Sequence, residues 1–409
     1  MTITLIQSDA RHIPLASGSV HCAVTSPPYW GLRDYGHDGQ IGLERAPDCL
    51  GWATGAPCGE CYVCMMVQVF REVRRVLRDD GVCFLNLGDS YARNGGTDTE
   101  SPKTAIVGST RRTLEQIADR RQKAPNGLKP KDLCGIPWRV ALALQADGWW
   151  LRSDIVWHKT APMPESVTDR PTRSHEFIFL LSKSASYFYD AEAVKETLQT
   201  NNYTRTAENG KGNGELGAGA RFGSPDPSGR NQRDVWTLGP SPYPGMHFAT
   251  FPPELPRRCI LAGTSAHGVC PACGAPWERV IDKRPNPAGI TGGQHREVAR
   301  SEGIYDRSNR NYESERMIGQ NITTGWLPTC TCNAGDPVPA TVLDPFVGSG
   351  TTLMVARALG RNGIGLDLSA DYLQQARQRL DLDKLDAWHG AEPTPGTMDD
   401  FDSLPLFAA

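Results

Sequence analysis

Residues 341–369, TVLDPFVGSGTTLMVARALGRNGIGLDLS, decide the architecture. A short apolar run ends in Asp344, a tight turn Pro345-Phe346-Val347-Gly348-Ser349-Gly350 follows, a helix opens at Thr351-Thr352 and runs to Gly360, and a second apolar run ends in Asp367. Strand, turn, helix and strand in that order form one βαβ unit, which implies a parallel sheet around it. Gly348 and Gly350 let the backbone approach a ligand closely. Asp367, at the tip of the second strand, is placed to accept both hydroxyls of a ribose.

The turn is not a phosphate cradle. No lysine follows its second glycine, and the G-x-G-x-x-G dinucleotide spacing is absent. A cofactor that carries a ribose but no phosphate fits better, and S-adenosylmethionine is such a molecule. The plainer reading of Asp344 and Asp367 is that each caps the end of its strand.

Outward from this unit the same alternation continues. Residues 3–7 and 20–25 read as buried strands, and VQVFREVRRVL at 67–77 as an amphipathic helix ended by Asp80-Gly81. VCFLNLG at 82–88 is another strand, and a helix over 137–146 leads to strands at 151–158 and 175–183. These elements predict an α/β, Rossmann-like fold with a mostly parallel central sheet. Two stretches, 201–233 and 285–320, are too poor in aliphatic residues to fold alone and read as long loops.

With 409 residues the chain can bury a sizeable core, and its net charge of -3 argues for no particular partner. The charge is unevenly placed, however. Between Tyr91 and Pro130 eight Lys/Arg face four Asp/Glu, whereas Asp381–Ala409 holds seven acids and one lysine. The first stretch suits a polyanion or a solvated face, and the second would be repelled by a polyanion. No apolar run is long enough to span a bilayer and the N-terminus lacks a signal-peptide layout, so a cytoplasmic protein with no membrane partner is expected.

Eight of the twelve cysteines fall in short clusters. Cys49 with Cys58, Cys61 and Cys64 forms one set of four, and Cys270, Cys273, Cys330 and Cys332 form another around the zinc-ribbon knuckle C-P-A-C-G. Both predict structural Zn²⁺, because four thiolates leave no open position for chemistry; half-buried free thiols are the alternative for the first set. The second set directly precedes the glycine-turn strand and is expected to brace a DNA-facing loop. Cys22, Cys83, Cys134 and Cys259 lie among apolar neighbours and read as core.

TSPPYW at 25–30 fits neither a helix nor a central strand. Taken with DPFVGSGTT it resembles the amino-group DNA methyltransferases, which methylate the exocyclic nitrogen of cytosine (N4) or adenine (N6). The box precedes the glycine turn, as in that family's beta class. The resemblance extends through VFREVRRVLRDDG, FLNLGDSY, GWWLRSDIVWHK, RPTRSHEFIFLLSKS and HFATFPPELPRRCI.

The resemblance implies an S-adenosylmethionine-dependent methyltransferase fold, to which the cysteine spacing adds zinc-ribbon-like insertions. Residues 1–48 and 65–183 would form the catalytic half, 49–64 a Cys-rich insertion, and 184–246 the target-recognition region. Residues 247–263 would enclose the cofactor, 264–340 form the ribbon, 341–380 the cofactor-binding half, and 381–409 an acidic tail. Asp9 would lie near the adenine, Asp344 at the methionine end and Asp367 on the ribose, with Pro345, Phe346, Gly348, Gly350 and Thr351 also binding the cofactor. Ser26, Pro27, Pro28 and Tyr29 would be catalytic: the Ser26 hydroxyl and Pro27 carbonyl accept the amine protons, the prolines hold that geometry, and Tyr29 stacks on a flipped-out base.

Serine at the head of the box resembles the N4-cytosine enzymes, with N6-adenine as the alternative and a zinc-ribbon nucleic-acid-binding protein with an inactive core as a more distant one. Double-stranded DNA would be the partner, with phosphate contacts from Arg/Lys in 91–131 and a cognate restriction endonuclease. The C-terminal DSLPLFAA faintly resembles a sliding-clamp peptide without its leading glutamine.

Overall fold

The computed structural model describes residues 1–32, 34–92, 128–196, 230–239, 251–284 and 320–382. Most of the basic stretch, most of the proposed target-recognition region, the loop after residue 284 and the acidic tail with its clamp-like peptide lie outside the described residues.

The central sheet has eight strands. In chain order they are β1 (Ile3–Gln7), β2 (Val20–Thr25), β3 (Leu77–Leu87), β4 (Trp150–Lys159), β5 (His175–Ser182), β6 (Val235–Leu238), β9 (Thr341–Asp344) and β10 (Asn362–Asp367). Across the sheet the order is β1-β10-β9-β2-β3-β5-β4-β6. All neighbours pair in parallel except β5, which runs against both β3 and β4. The separate antiparallel pair β7 (Trp277–Arg284) and β8 (Gln320–Pro328) forms the ribbon. The mostly parallel α/β expectation therefore holds. β6 shows in addition that part of 184–246 belongs to the sheet.

Six α-helices accompany these strands among the described residues: α1 (Gly51–Thr54), α2 (Tyr62–Val76), α3 (Ile136–Ala146), α4 (Glu254–Gly263), α5 (Thr351–Ala358) and α6 (Ala370–Arg379). α2 buries Tyr62, Val63, Met66, Val67, Phe70 and Val73 against one face of the sheet, while α4 and α5 cover the other with Ile260, Leu353 and Val355. Both faces are apolar, as a parallel sheet requires.

Two boundaries differ from the sequence expectation. The helix begins at Tyr62, inside the Cys-rich stretch, because Cys61 is its N-cap. Asp80-Gly81 does not separate helix from strand either: β3 starts at Leu77, directly after α2, and passes through both residues. Gly81 works there because a Cβ would meet Leu77 Cγ at 2.8 Å and the His21 carbonyl at 2.9 Å. A close backbone approach, not a turn, explains that glycine.

Candidate active site

From the tip of β9 the chain crosses through α5 to β10 on one side, and from the tip of β2 it crosses through α2 to β3 on the other. The two crossovers diverge and leave a crevice beyond the C-terminal ends of the central strands, which is where open α/β sheets bind ligands. A cavity of about 300 Å³ lies there. It is walled by Asp9 after β1, Ser26–Tyr29 after β2, Asp344 at the end of β9 with Pro345–Ser349 after it, Asp367 at the end of β10, and the loop residues Tyr35 and His37.

The predicted residues converge on this cavity although more than three hundred positions separate Asp9 from Asp344 in the chain. Gly350 is the one that is not on the wall; with φ of +82° it starts α5 instead. Gly348 also has positive φ, and a Cβ there would touch nothing nearer than 4.0 Å, so its side is open toward a ligand.

Asp344 is almost fully buried, and burial pushes its carboxyl up to about 6. Thr25 and Thr352 donate their hydroxyls to it at 2.7 and 2.6 Å, and the Phe346 N–H adds a third bond at 3.1 Å. It thus ties β2, β9 and α5 together while its backbone opens the glycine turn. At Asp367 burial again raises the carboxyl, against N–H bonds from Ser369 at 2.9 Å and Gly348 at 3.1 Å. Those bonds hold the carboxylate in place on the cavity wall. At Asp9 burial pulls the pKa upward, but the Arg11 guanidinium and N–H outweigh it and the net shift is down.

The proline box is held from three sides. The Tyr29 ring lies on the backbone of Gly88, where a Cβ would come within 2.5 Å of Cε2. Ser26 Oγ is 3.2 Å from the Tyr29 hydroxyl, which donates to Glu176 at 2.7 Å and has Asn86 Oδ1 at 3.1 Å. Burial, followed by the Glu176 charge, raises the Tyr29 phenol well above its ordinary value, so it stays protonated. Glu176 is in turn paired with Lys159. Pro28 gives its carbonyl to the Tyr62 hydroxyl at 2.9 Å.

Sequence reasoning missed Glu176, Lys159, Gly88 and Tyr62. Glu176 sits second in β5, and only because that strand runs backwards do its first residues lie level with the C-terminal tips of its neighbours. The motif HEFIFLLSK announced a strand but not its direction. Gly88, in FLNLGDSY, had a signal in being a glycine at a strand end.

A family model described as DNA methylase matches residues 20–270 and 331–378, a span that contains the proline box, the glycine turn and the strands that bring them together. The chain belongs to that family. The type II methyltransferase M.SmaI of Serratia marcescens is 36% identical over 378 residues, covering 92% of this chain and 90% of the relative. M.Cfr9I of Citrobacter freundii is 45% identical over 267 residues, 64% of this chain and 72% of the relative. M.SfiI of Streptomyces fimbriatus is 30% identical over 408 residues, 88% and 86% of the two chains. Among solved structures, PvuII DNA methyltransferase (cytosine-N4-specific) is 13% identical with a TM-score of 0.46, over 97% of this chain and 89% of that one, a distant likeness. The protein is a type II DNA methyltransferase of the amino-group class.

The methylase carries its two cysteine sets at opposite ends of the sheet. All twelve cysteines are unpaired by disulfides, and in each set the four sulfurs lie within 4.8 Å of one another. Cys22, Cys83, Cys134 and Cys259 are buried in the core, as expected. In the first set Cys49 and Cys58 lie 3.8 and 4.0 Å from Cys64, close to the roughly 3.8 Å edge of a tetrahedron with Zn–S bonds near 2.3 Å. Backbone N–H groups of Gly51 and Cys58 point at Cys49 sulfur, and those of Glu60 and Cys61 at Cys58 sulfur, within 3.3–3.4 Å. Such donors stabilise thiolate, so the donor set fits zinc.

The second set holds the base of the β7–β8 hairpin. Arg78 donates to the Cys273 carbonyl, His21 Nε2 bonds the Gly274 carbonyl at 3.0 Å, and the Thr341 N–H reaches His21 Nδ1 at 3.0 Å. These three anchors are among the first residues of β3, β2 and β9, so the ribbon docks at the N-terminal end of the sheet, away from the cavity. The described part of the ribbon, read from the sequence as able to brace a DNA-facing loop, packs against the strand starts. A segment that leads into the start of β9 has to pack where β9 starts.

Proposed function

We propose that this methylase transfers a methyl group from S-adenosylmethionine to the N4 amine of a flipped-out cytosine at a specific site in double-stranded DNA. One observation carries the reading: the Ser26–Tyr29 box and the Asp344–Gly348 turn with Asp367 face one cavity of about 300 Å³, a volume in the range of small-ligand sites. Asp367 would hold the ribose, Asp9 lie toward the adenine, and the glycine turn take the methionine end. The cofactor supplies an electrophilic methyl on a sulfonium.

What the chain supplies is acceptors. An exocyclic amine is a poor nucleophile because its lone pair is delocalised into the ring, so its protons must be drawn off as the new bond forms. Ser26 donates its hydrogen to Tyr29, and Tyr29 donates to Glu176. That direction leaves the Ser26 oxygen with lone pairs, not a proton, for the amine. The Pro28 carbonyl is already bonded to Tyr62, whereas among the described residues no donor reaches the Pro27 carbonyl, which is left as the second acceptor. When nitrogen gains the methyl it sheds one proton to Ser26, as Ser26 passes its own to Tyr29 and Tyr29 to Glu176. Proton count and charge balance along this chain.

Serine at the head of the box supports cytosine over adenine, and the type II relatives support a cognate restriction endonuclease as partner. The test is to incubate the protein with unmethylated DNA and S-adenosylmethionine and to digest the product to nucleosides. N4-methylcytosine is the expected product. N6-methyladenine alone would overturn the base assignment, and neither product would overturn the whole reading.

A further inference from the structure

The first cysteine set is joined to the proline box through a single residue. Cys61 is the N-cap of α2 and Cys64 lies in its first turn, so whatever holds these sulfurs sets where the helix begins. The residue between them and the cavity is Tyr62. It is fully buried, and its hydroxyl is 2.9 Å from the Pro28 carbonyl. One covalent step therefore separates a sulfur ligand from a direct hydrogen bond to the proline box.

The other side of the set is tied to the same box. Tyr62 N–H bonds the Ala46 carbonyl and Val63 N–H the Pro47 carbonyl, both at 3.0 Å, just upstream of Cys49. Asp48 is clamped by Arg139 at 2.8 Å. Further back, the Glu44 carbonyl accepts the Trp30 indole at 2.9 Å. The loop that leaves the box at Trp30 and returns at Tyr62 is thus closed on itself, with Cys49 and Cys58 on its two arms. That loop carries Tyr35, His37 and Ile41 of the cavity wall.

We infer that Tyr62 is a positioning residue for methyl transfer, and that the Cys49–Cys58–Cys61–Cys64 site, holding Zn²⁺, acts through it to set the Pro28 carbonyl and hence the Pro27 and Ser26 acceptors. This rests on the methyltransferase reading but not on which base is modified. Engaging Pro28 does two things. It prevents that carbonyl from competing for the amine, and it fixes the rotation of the peptide between Pro28 and Tyr29, directly after the Ser26–Pro27 acceptors. A misplacement of about 1 Å at reacting atoms can lower a rate about a hundredfold.

The test uses the full-length protein, tritiated S-adenosylmethionine and DNA, and counts methyl groups placed on DNA whichever base receives them. A wrong base assignment leaves this readout intact, and a wild type that labels no DNA at all overturns the methyltransferase reading and this inference with it. Tyr62→Phe removes one oxygen from a buried ring. The expected result is a fall in kcat of about tenfold to a hundredfold, with zinc content and the Kd for S-adenosylmethionine unchanged. Cys58→Ser, at an exposed member of the set, should lower the zinc content by one ion per chain and lower kcat at least as far. A Tyr62→Phe enzyme with wild-type kcat, or a Cys58→Ser enzyme that loses its zinc and keeps its rate, would overturn the inference. So would a wild type whose zinc content does not change on Cys58→Ser.

Discussion

The two cysteine sets have the same donor chemistry and lie at opposite ends of one sheet. The ribbon set meets β2, β3 and β9 at their starts, through His21, Arg78 and Thr341. The other set meets the chain just after β2 ends, through Tyr62 and the proline box. In a parallel sheet these positions are not equivalent, because only the C-terminal end has diverging crossovers and a crevice. Ligand type alone therefore does not tell a bracing site from one joined to the chemistry. The strand end does.

The largest effect that would sharpen this contrast is expected at the box. Tyr29→Ala should lower kcat by about three orders of magnitude or more while leaving cofactor affinity nearly unchanged, as single-turnover rates and calorimetry would reveal. Its counterpart is Asp367→Ala, which should raise the cofactor Kd about tenfold to a hundredfold through loss of charged hydrogen bonds. If these two results were exchanged, the division of the cavity into acceptor and cofactor halves would fail.

Next comes Gly88→Ala, which pushes a methyl into the Tyr29 ring from a nominal 2.5 Å and should cost about tenfold or more in kcat. Unchanged turnover would mean that the ring has room to move. At the same end Asp344 gives a pH signature. Its carboxyl is raised to about 6 by burial, yet it must be ionised to accept three bonds. The rate should fall about tenfold per pH unit below that value, and Asp344→Asn should remove this limb from the pH profile.

The smallest effect belongs to the far end. Cys273→Ser should lose the ribbon zinc and some thermal stability, with kcat kept within about twofold because the distant sites are independent. A large loss of rate would break the contrast. His21 adds a stability test: burial lowers its imidazole to about 4, so the folded state loses stability as pH falls from the unfolded value near 6.5 toward 4. Asp344 works the other way, since a raised carboxyl favours the fold on acidification. The melting temperature of Asp344→Asn should therefore drop more steeply with acid than that of the parent.

Much of this site could be read from sequence because each half is carried by contiguous residues. TSPPYW and DPFVGSGTT each follow a strand, and a parallel sheet forces strand tips together, so Ser26, Asp344 and Asp367 had to meet. Glu176 was hidden for the converse reason: it matters only because β5 is reversed, and strand direction leaves no trace in residue type. Tyr62 carried no signal of its own inside the Cys-rich stretch, since nothing local reveals that its hydroxyl reaches a carbonyl thirty-four residues away. Where the ribbon docks was not legible, because order along the chain places it next to β9 without saying which end of the sheet it meets. β9 is short, but it still has two ends.

The pairing of β1 with β10 has a consequence for biosynthesis. β1 finds this neighbour only after residue 367 has been made, some 360 positions later (367 against 7). At about 5–20 residues per second, the proline box waits on the order of tens of seconds for the turn that completes its cavity. A nascent or truncated chain that ends before Thr341 lacks the glycine turn and Asp367, so the cavity at Ser26–Tyr29 stays without its opposite wall until that turn has been made.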